Sequence, residues 1–230
     1  MLARLVRPLA PRDPHEPHRV ASPLELFTDL CYVVAIAQAA LSLEHEIVHG
    51  HTGHGVVWFC VSFFAIFWAW LNFAWFNSAY DSDDVVHRLL TLLQIFGSLV
   101  LAAGVPDVFE EDFTLVIVGY VVMRVGLVLM WARAAVGHPE RRRTAERYAY
   151  GLIAVQIGWV VALLVTEGHL PLWLFFVLIA LDFGVPFYAE QAGTTPWHAH
   201  HIAERYGLFF HHRAGRDGAV GDARDQGGVR

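Results

Sequence analysis

Lysine is absent from the chain, and all sixteen of its basic residues are arginine. They gather in a few loops and tails, so no basic surface forms and a nucleic-acid partner is excluded. An arginine-only complement fits the codon usage of a GC-rich bacterial genome and carries no chemistry of its own. Cysteine is nearly missing as well. Cys31 and Cys60 both fall inside apolar runs, which excludes a disulfide framework and a cysteine-based zinc site. Charged residues make up only 17% of the chain, below the share of an average soluble domain. The first 22 residues hold four Arg and four Pro but lack the apolar core of about 7 to 15 residues that a cleaved signal peptide needs. They are expected to form a disordered cytoplasmic tail.

What is present is apolar surface. Hydrophobic residues are 56% of the chain, and they come in blocks of about 20, the length that crosses the hydrocarbon core of a bilayer. Such runs fall near 25 to 48, 55 to 77, 87 to 108, 113 to 136, 146 to 166 and 170 to 190. The expected fold is all-α: a polytopic membrane helix bundle of about six transmembrane helices plus the start of a seventh, with the lipid bilayer as its solvent. Residues 23–209 form the helical domain, with 1–22 and 210–230 as tails. Short connections make sequential helices antiparallel neighbours. Arginine sets the orientation, because cytoplasmic loops hold the excess of positive charge. Arg4 to Arg19, Arg88, Arg133 to Arg147 and Arg205 mark alternate connections, and the intervening loops have none. A cytoplasmic N-terminus is expected. The second span is dense in Trp and Phe all round the helix, which reads as a lipid-facing helix more readily than as a platform for a flat ligand.

Ionisable and amide side chains interrupt these spans. Each costs roughly 2.5 to 3.5 kcal/mol at a helix centre, so each suggests a partner, a cavity or a function. Counted from the arginine-marked ends, Asp29, Asn72, Gln94 and Asp182 lie about 8 to 12 Å in, and Arg124 and Gln156 about 13 to 15 Å. Six helices thus place one polar group each in a single slab. Arg124 and Asp182 are at similar depth and are expected to pair, and Asp29 can join because guanidinium bridges two carboxylates. The pair either fixes helix register or borders a polar cavity for a small solute or ion. Glu25 shares a helix face with Asp29 and is at matching depth for Arg88. It also fits a helix start, with Ser22 as N-cap and Pro23 at the first helical position.

His45, Glu46 and His49 spell His-Glu-x-x-His, whose two histidines can share a face around zinc with Glu as general base. A third ligand is missing at that depth, since Asp182 lies more than about 10 Å below. His54 misses the extended spacing, Gly50, Gly53 and Gly55 end the helix, and His198, His200 and His201 belong to the other side. His45 and His49 are weak metal candidates, and no metal, no cofactor and no enzymatic activity is expected.

The run Ser22-Pro23-Leu24-Glu25-Leu26-Phe27-Thr28-Asp29-Leu30, continuing Val33-Val34-Ala35-Ile36-Ala37-Gln38, resembles the opening of the bacterial low temperature requirement protein A (LtrA) family. A second motif, Glu204-Arg205-Tyr206-Gly207-Leu208-Phe209, resembles the same family. The resemblance implies a polytopic bacterial inner-membrane protein of undefined activity. It also implies more spans, entered through an apolar Ile-Ile-Val-Leu-Gly-Glu helix where this chain has a Gly/Arg/Asp tail from His211. Back-translated with permitted codons and read one base later, His211 to Ala223 yields Ile-Ile-Val-Leu-Gly-Glu-Thr-Val-Leu-Trp-Ala-Thr. A frameshift is therefore expected to have produced residues 210–230. The expected function is solute or ion passage through the polar slab. The alternatives are a structural or regulatory membrane protein without transport and, third, an intramembrane metalloprotease.

Overall fold

The computed structural model describes Leu9, Ser82 and residues 23–80 and 84–195. Over these the chain forms six α-helices: α1 (Pro23–Val48), α2 (Thr52–Ala79), α3 (Val85–Val108), α4 (Thr114–Gly137), α5 (Arg142–Thr166) and α6 (Leu172–Glu190). One 3-10 turn, Pro139–Arg141, leads into α5. All six helices are long and apolar enough to cross a membrane. The expected seventh span, Ser22, Glu204, Arg205 and the 210–230 tail lie outside the described residues.

Local chemistry starts and stops these helices. Pro23 opens α1 with a fixed φ and no N–H to leave unsatisfied. Asp84 caps α3 by accepting the His87 amide at 2.8 Å, and its other oxygen takes the Arg133 guanidinium at 2.6 Å, tying α4 to the same end. At the opposite end Asp112 accepts the Thr114 amide at 2.8 Å. Bonds from Thr114, helped by nearby His169, hold the Asp112 carboxyl below the usual carboxylate range. Glu167 and Gly168 adopt left-handed φ of 52° and 94° and end α5, and the Gly168 carbonyl then accepts the Phe113 amide at 3.0 Å. The first connection is shorter than the sequence suggested. Gly50 turns the chain at φ 81°, while Gly53 and Gly55 lie in the first turn of α2. Gly55 is needed there for packing, because a Cβ would come within 2.6 Å of Glu46 Cβ on α1.

The helices alternate in direction, so α2, α4 and α6 end where α3 and α5 begin. Arg88, Arg133 and Arg141 to Arg147 mark this arginine-bearing end, and His45 to His54 with His169 mark the histidine-bearing end. In cross-section α1 packs on α2 and α3, α3 on α4, α4 on α5, and α5 on α6. The α2–α6 seam is closed by aromatic rings, with Trp68 and Phe183 at 4.1 Å between centroids and Phe64 and Phe183 at 5.7 Å. Two apolar clusters fill the interior. Trp58, Ile66, Trp70, Leu101, Phe113 and Phe175 belong to the one nearer the histidines. Phe73, Phe76, Tyr80, Met130, Trp131 and Tyr148 belong to the one nearer the arginines. This corrects the lipid-facing reading of the second span: Trp70, Phe73 and Phe76 on α2 are fully buried. The outer faces carry Leu41, Leu89, Phe96, Phe176 and Leu181 exposed, a surface suited to lipid and costly in water.

Helices α3 and α4 approach most closely, through glycines. A Cβ on Gly119 would lie 2.6 Å from the Leu101 backbone nitrogen, and one on Gly97 would lie 2.6 Å from Met123 Cγ. In lipid such small-residue contacts replace the hydrophobic drive that water provides. Gly119→Val should push α3 and α4 apart at a cost of about 1 to 3 kcal/mol, the usual penalty for overpacking. It should lower the thermal unfolding midpoint in detergent, while Gly53→Val, with open space around its Cβ, should lower it far less. Equal midpoints for the two variants would contradict this packing.

Candidate functional site

Between the two apolar clusters lies a polar knot. Arg124 Nη2 donates to Asp182 Oδ1 at 2.7 Å, and both side chains are almost wholly enclosed, at 6% and 4% exposure. Arg124 Nη1 donates to Asn72 Oδ1 at 3.2 Å. The Asn72 amide nitrogen in turn donates to the Trp68 carbonyl at 2.8 Å, which fixes its orientation. The second Asp182 oxygen receives a long bond from Trp159 Nε1 at 3.4 Å, and the Tyr120 ring stands 5.8 Å from the guanidinium carbon. Four helices, α2, α4, α5 and α6, thus meet at one ion pair.

The sequence-derived slab is brought together in part. Arg124, Asp182 and Asn72 converge as their depths suggested. Gln94 is bonded at 2.7 Å to the Met123 carbonyl, one residue from the knot, and stiffens α3 against α4. Gln156 borders a groove of about 360 Å³ between α4 and α5 that also touches Arg124, and the rest of that groove is aliphatic, including Val121, Val128, Leu152 and Val160. Asp29 does not join the knot. It sits on α1, which packs on α2 and α3, and its Oδ1 accepts from Trp70 Nε1 at 2.8 Å. Glu25 is buried near the start of α1. Trp159 and Tyr120 were missed by sequence reasoning. Each lies within one turn of a residue already singled out, Trp159 after Gln156 and Tyr120 before Arg124, so a search for hydrogen-bonding aromatics on those faces would have found them.

The histidine-bearing end is organised differently from a zinc site. His49 Nδ1 contacts the His45 carbonyl at 2.8 Å, and the two rings lie 4.1 Å apart. Glu46 turns to His54 at 3.0 Å and His51 at 3.7 Å, and His54 reaches Glu111 at 3.9 Å across the α3–α4 connection. Among the described residues no group of three His, Cys, Asp or Glu could hold a metal.

Two cavities flank the knot. One of about 30 Å³, towards the histidine-bearing end, is bordered by Phe64, Tyr120, Trp159, Phe175 and Asp182. The other, of about 230 Å³ on the arginine side, is bordered by Asn72, Trp75, Trp131, Tyr148, Phe183 and Pro186. Trp68 borders both. Pro186 lies inside α6 four residues after Asp182, so it supplies no N–H to the Asp182 carbonyl and leaves the helix weakened there.

A family model for the bacterial low temperature requirement A protein matches residues 20–210. The chain belongs to the LtrA family. An uncharacterised protein from Rhizobium meliloti (strain 1021) is 28% identical over 194 residues, covering 80% of this chain and 46% of the relative. The chain therefore spans about half the length of that relative. No solved structure matches it. Family and fold together make this an integral membrane protein.

In this LtrA chain the knot depends on the planar fork of Arg124, which serves Asn72 and Asp182 with separate nitrogens. Arg124→Lys keeps the charge but cannot reproduce both bonds, and should cost about 1.5 to 3 kcal/mol, the worth of a hydrogen bond to a charged group. Trp159→Phe, which removes only the long bond, should cost less. Thermal unfolding in detergent ranks them, and an Arg124→Lys protein as stable as the parent would contradict the geometry.

Proposed function

We propose that this LtrA-family protein passes a small solute or ion across the bacterial inner membrane, with the Arg124–Asp182–Asn72 knot as the barrier between two cavities. The observation that carries this reading is the placement of the buried ion pair: Asp182 borders the cavity on one side and Asn72 the cavity on the other. A charge pair that only fixed helix register would be served as well by dry packing on all sides, and hydrophobic replacements of buried pairs are often as stable. Pro186, four residues after Asp182, weakens α6 there, and a small rotation of the helix about that point would part the pair and join the cavities. The protein acts in this reading as a conduit and not as an enzyme.

A second reading, a structural or regulatory membrane protein without transport, is favoured by the small size of the cavity on the histidine side, about 30 Å³, which leaves little more than room for water. Reconstituted vesicles separate the two. Light scattering after an osmotic step reports neutral solutes, and an entrapped pH dye reports protons. Passage should exceed that of protein-free vesicles and change at least tenfold in Asp182→Asn. Vesicles no more permeable than lipid alone to every solute tried would support the second reading.

The arginine-bearing end is taken as cytoplasmic because positive loops are retained there. With Cys31 and Cys60 replaced by Ala, single cysteines made by Thr52→Cys and Arg141→Cys should differ towards an impermeant thiol reagent in intact cells, with position 52 labelled and position 141 protected. The reverse pattern would invert the topology.

A further inference from the structure

One residue from ahead of α1 is part of the interior. Leu9 is 2% exposed and belongs to the apolar cluster of the arginine-bearing end, with Phe76, Tyr80, Trp131 and Ala134. Its main chain lies against Gly137, the last residue of α4, so closely that a Cβ there would fall 2.5 Å from the Leu9 carbonyl oxygen and 2.8 Å from its nitrogen. Both are backbone atoms that cannot swing aside, so only glycine admits Leu9 at this point. The next residue, His138, meets the Tyr80 hydroxyl at 3.1 Å through Nδ1, a contact that joins the end of α4 to the end of α2. Trp131 lies about 9 Å before Gly137 along the α4 axis and stacks on Tyr148 at 4.0 Å, where the two rings border the larger cavity. Leu9 therefore lies beyond that wall, on the side facing away from the knot.

We propose that the chain's own N-terminal segment is a releasable latch on the arginine-bearing end: Leu9 docks on Gly137, holds the ends of α2 and α4 together, and closes the approach to the larger cavity from that side. The segment reaches this seat within one chain, because Pro23 opens α1 at the same end and residues 10–22 can span about 45 Å. Attraction between charges does not hold it there. By sequence, residues 1–22 carry Arg4, Arg7, Arg12 and Arg19 against Asp13 and Glu16, and the connection after Gly137 carries Arg141, Arg142, Arg143 and Arg147 against Glu140 and Glu146. Two basic stretches repel, so the docking is carried by one buried leucine and releases readily. The closing role rests on the passage reading, but docking can be measured without flux.

Chymotrypsin reads the docking, because it must take the Leu9 side chain into its own pocket to cut between Leu9 and Ala10. The full chain in phosphatidylcholine nanodiscs is compared with a synthetic peptide of residues 1–22 beside empty nanodiscs, and the cut is followed by mass spectrometry. The bond should be cut about tenfold more slowly in the protein, since cleavage waits for the segment to open. Gly137→Val should bring the rate close to that of the peptide, whereas Gly53→Val, with open space around its Cβ, should keep the protection. Equal rates for the parent protein and the peptide would overturn the inference even if Gly137→Val failed to fold, and so would full protection in a folded Gly137→Val protein. In vesicles Leu9→Asp, which puts a charge in the apolar seat, should raise passage about threefold by favouring the open state. Passage equal to the parent's in Leu9→Asp would overturn the closure. Protection of Leu9 in a parent protein that passes no solute would leave the docking standing and sink the passage reading. Passage by a parent whose Leu9 is cut as fast as the peptide's would do the opposite.

Discussion

A guanidinium and a carboxylate shut away from water attract strongly because little dielectric screens them, and each would be expensive to bury alone. The bundle is arranged around that constraint at Arg124 and Asp182, which bond at 2.7 Å. Asn72 and Trp159 take up further valences of the pair, so that α2 and α5 are fixed by the same contact that joins α4 to α6. The α2–α6 seam, where Phe64 and Trp68 meet Phe183, is where this matters most. The apolar interior divides on either side of the pair into two clusters, and the cavities lie at the division.

Aromatic residues have a double role in such a site. They are apolar enough to live in a membrane interior, yet Trp and Tyr carry one polar atom each that can be pointed at a charge. Trp159 meets Asp182, Trp70 meets Asp29, and the Tyr120 hydroxyl donates to the Ala65 carbonyl beside the knot. Polar requirements are thereby met with little loss of hydropathy in the spans. The glycines of α3 and α4 make the complementary contribution, letting two backbones approach until Gly119 meets Leu101.

The six helices were legible in the sequence because apolar run length is set by bilayer thickness, and the ends moved by four residues at most. The Arg124–Asp182 pair was legible because helical rise converts residue count into depth, and the two depths agreed. Depth says nothing about rotation around the bundle axis. For that reason Asp29 looked like a third member and is instead held by Trp70. Helix α2 misled in a related way. A helix apolar all round reads the same whether it faces lipid or core, and only the packing shows Trp70, Phe73 and Phe76 turned inward. The cavities were not legible at all, since they arise from how rings on α2 and α6 fail to fill a seam between residues more than 100 positions apart.

A double-mutant cycle on the ion pair tests the account most directly. Arg124→Leu and Asp182→Leu, each leaving a buried charge without its partner, should each lower stability by about 3 to 5 kcal/mol. The combination should be markedly less damaging than the sum, because both charges are gone. Thermal or denaturant unfolding in detergent supplies the three differences. Additive losses would show that Arg124 and Asp182 do not hold one another, and the barrier between the two cavities would then have to be built from something else.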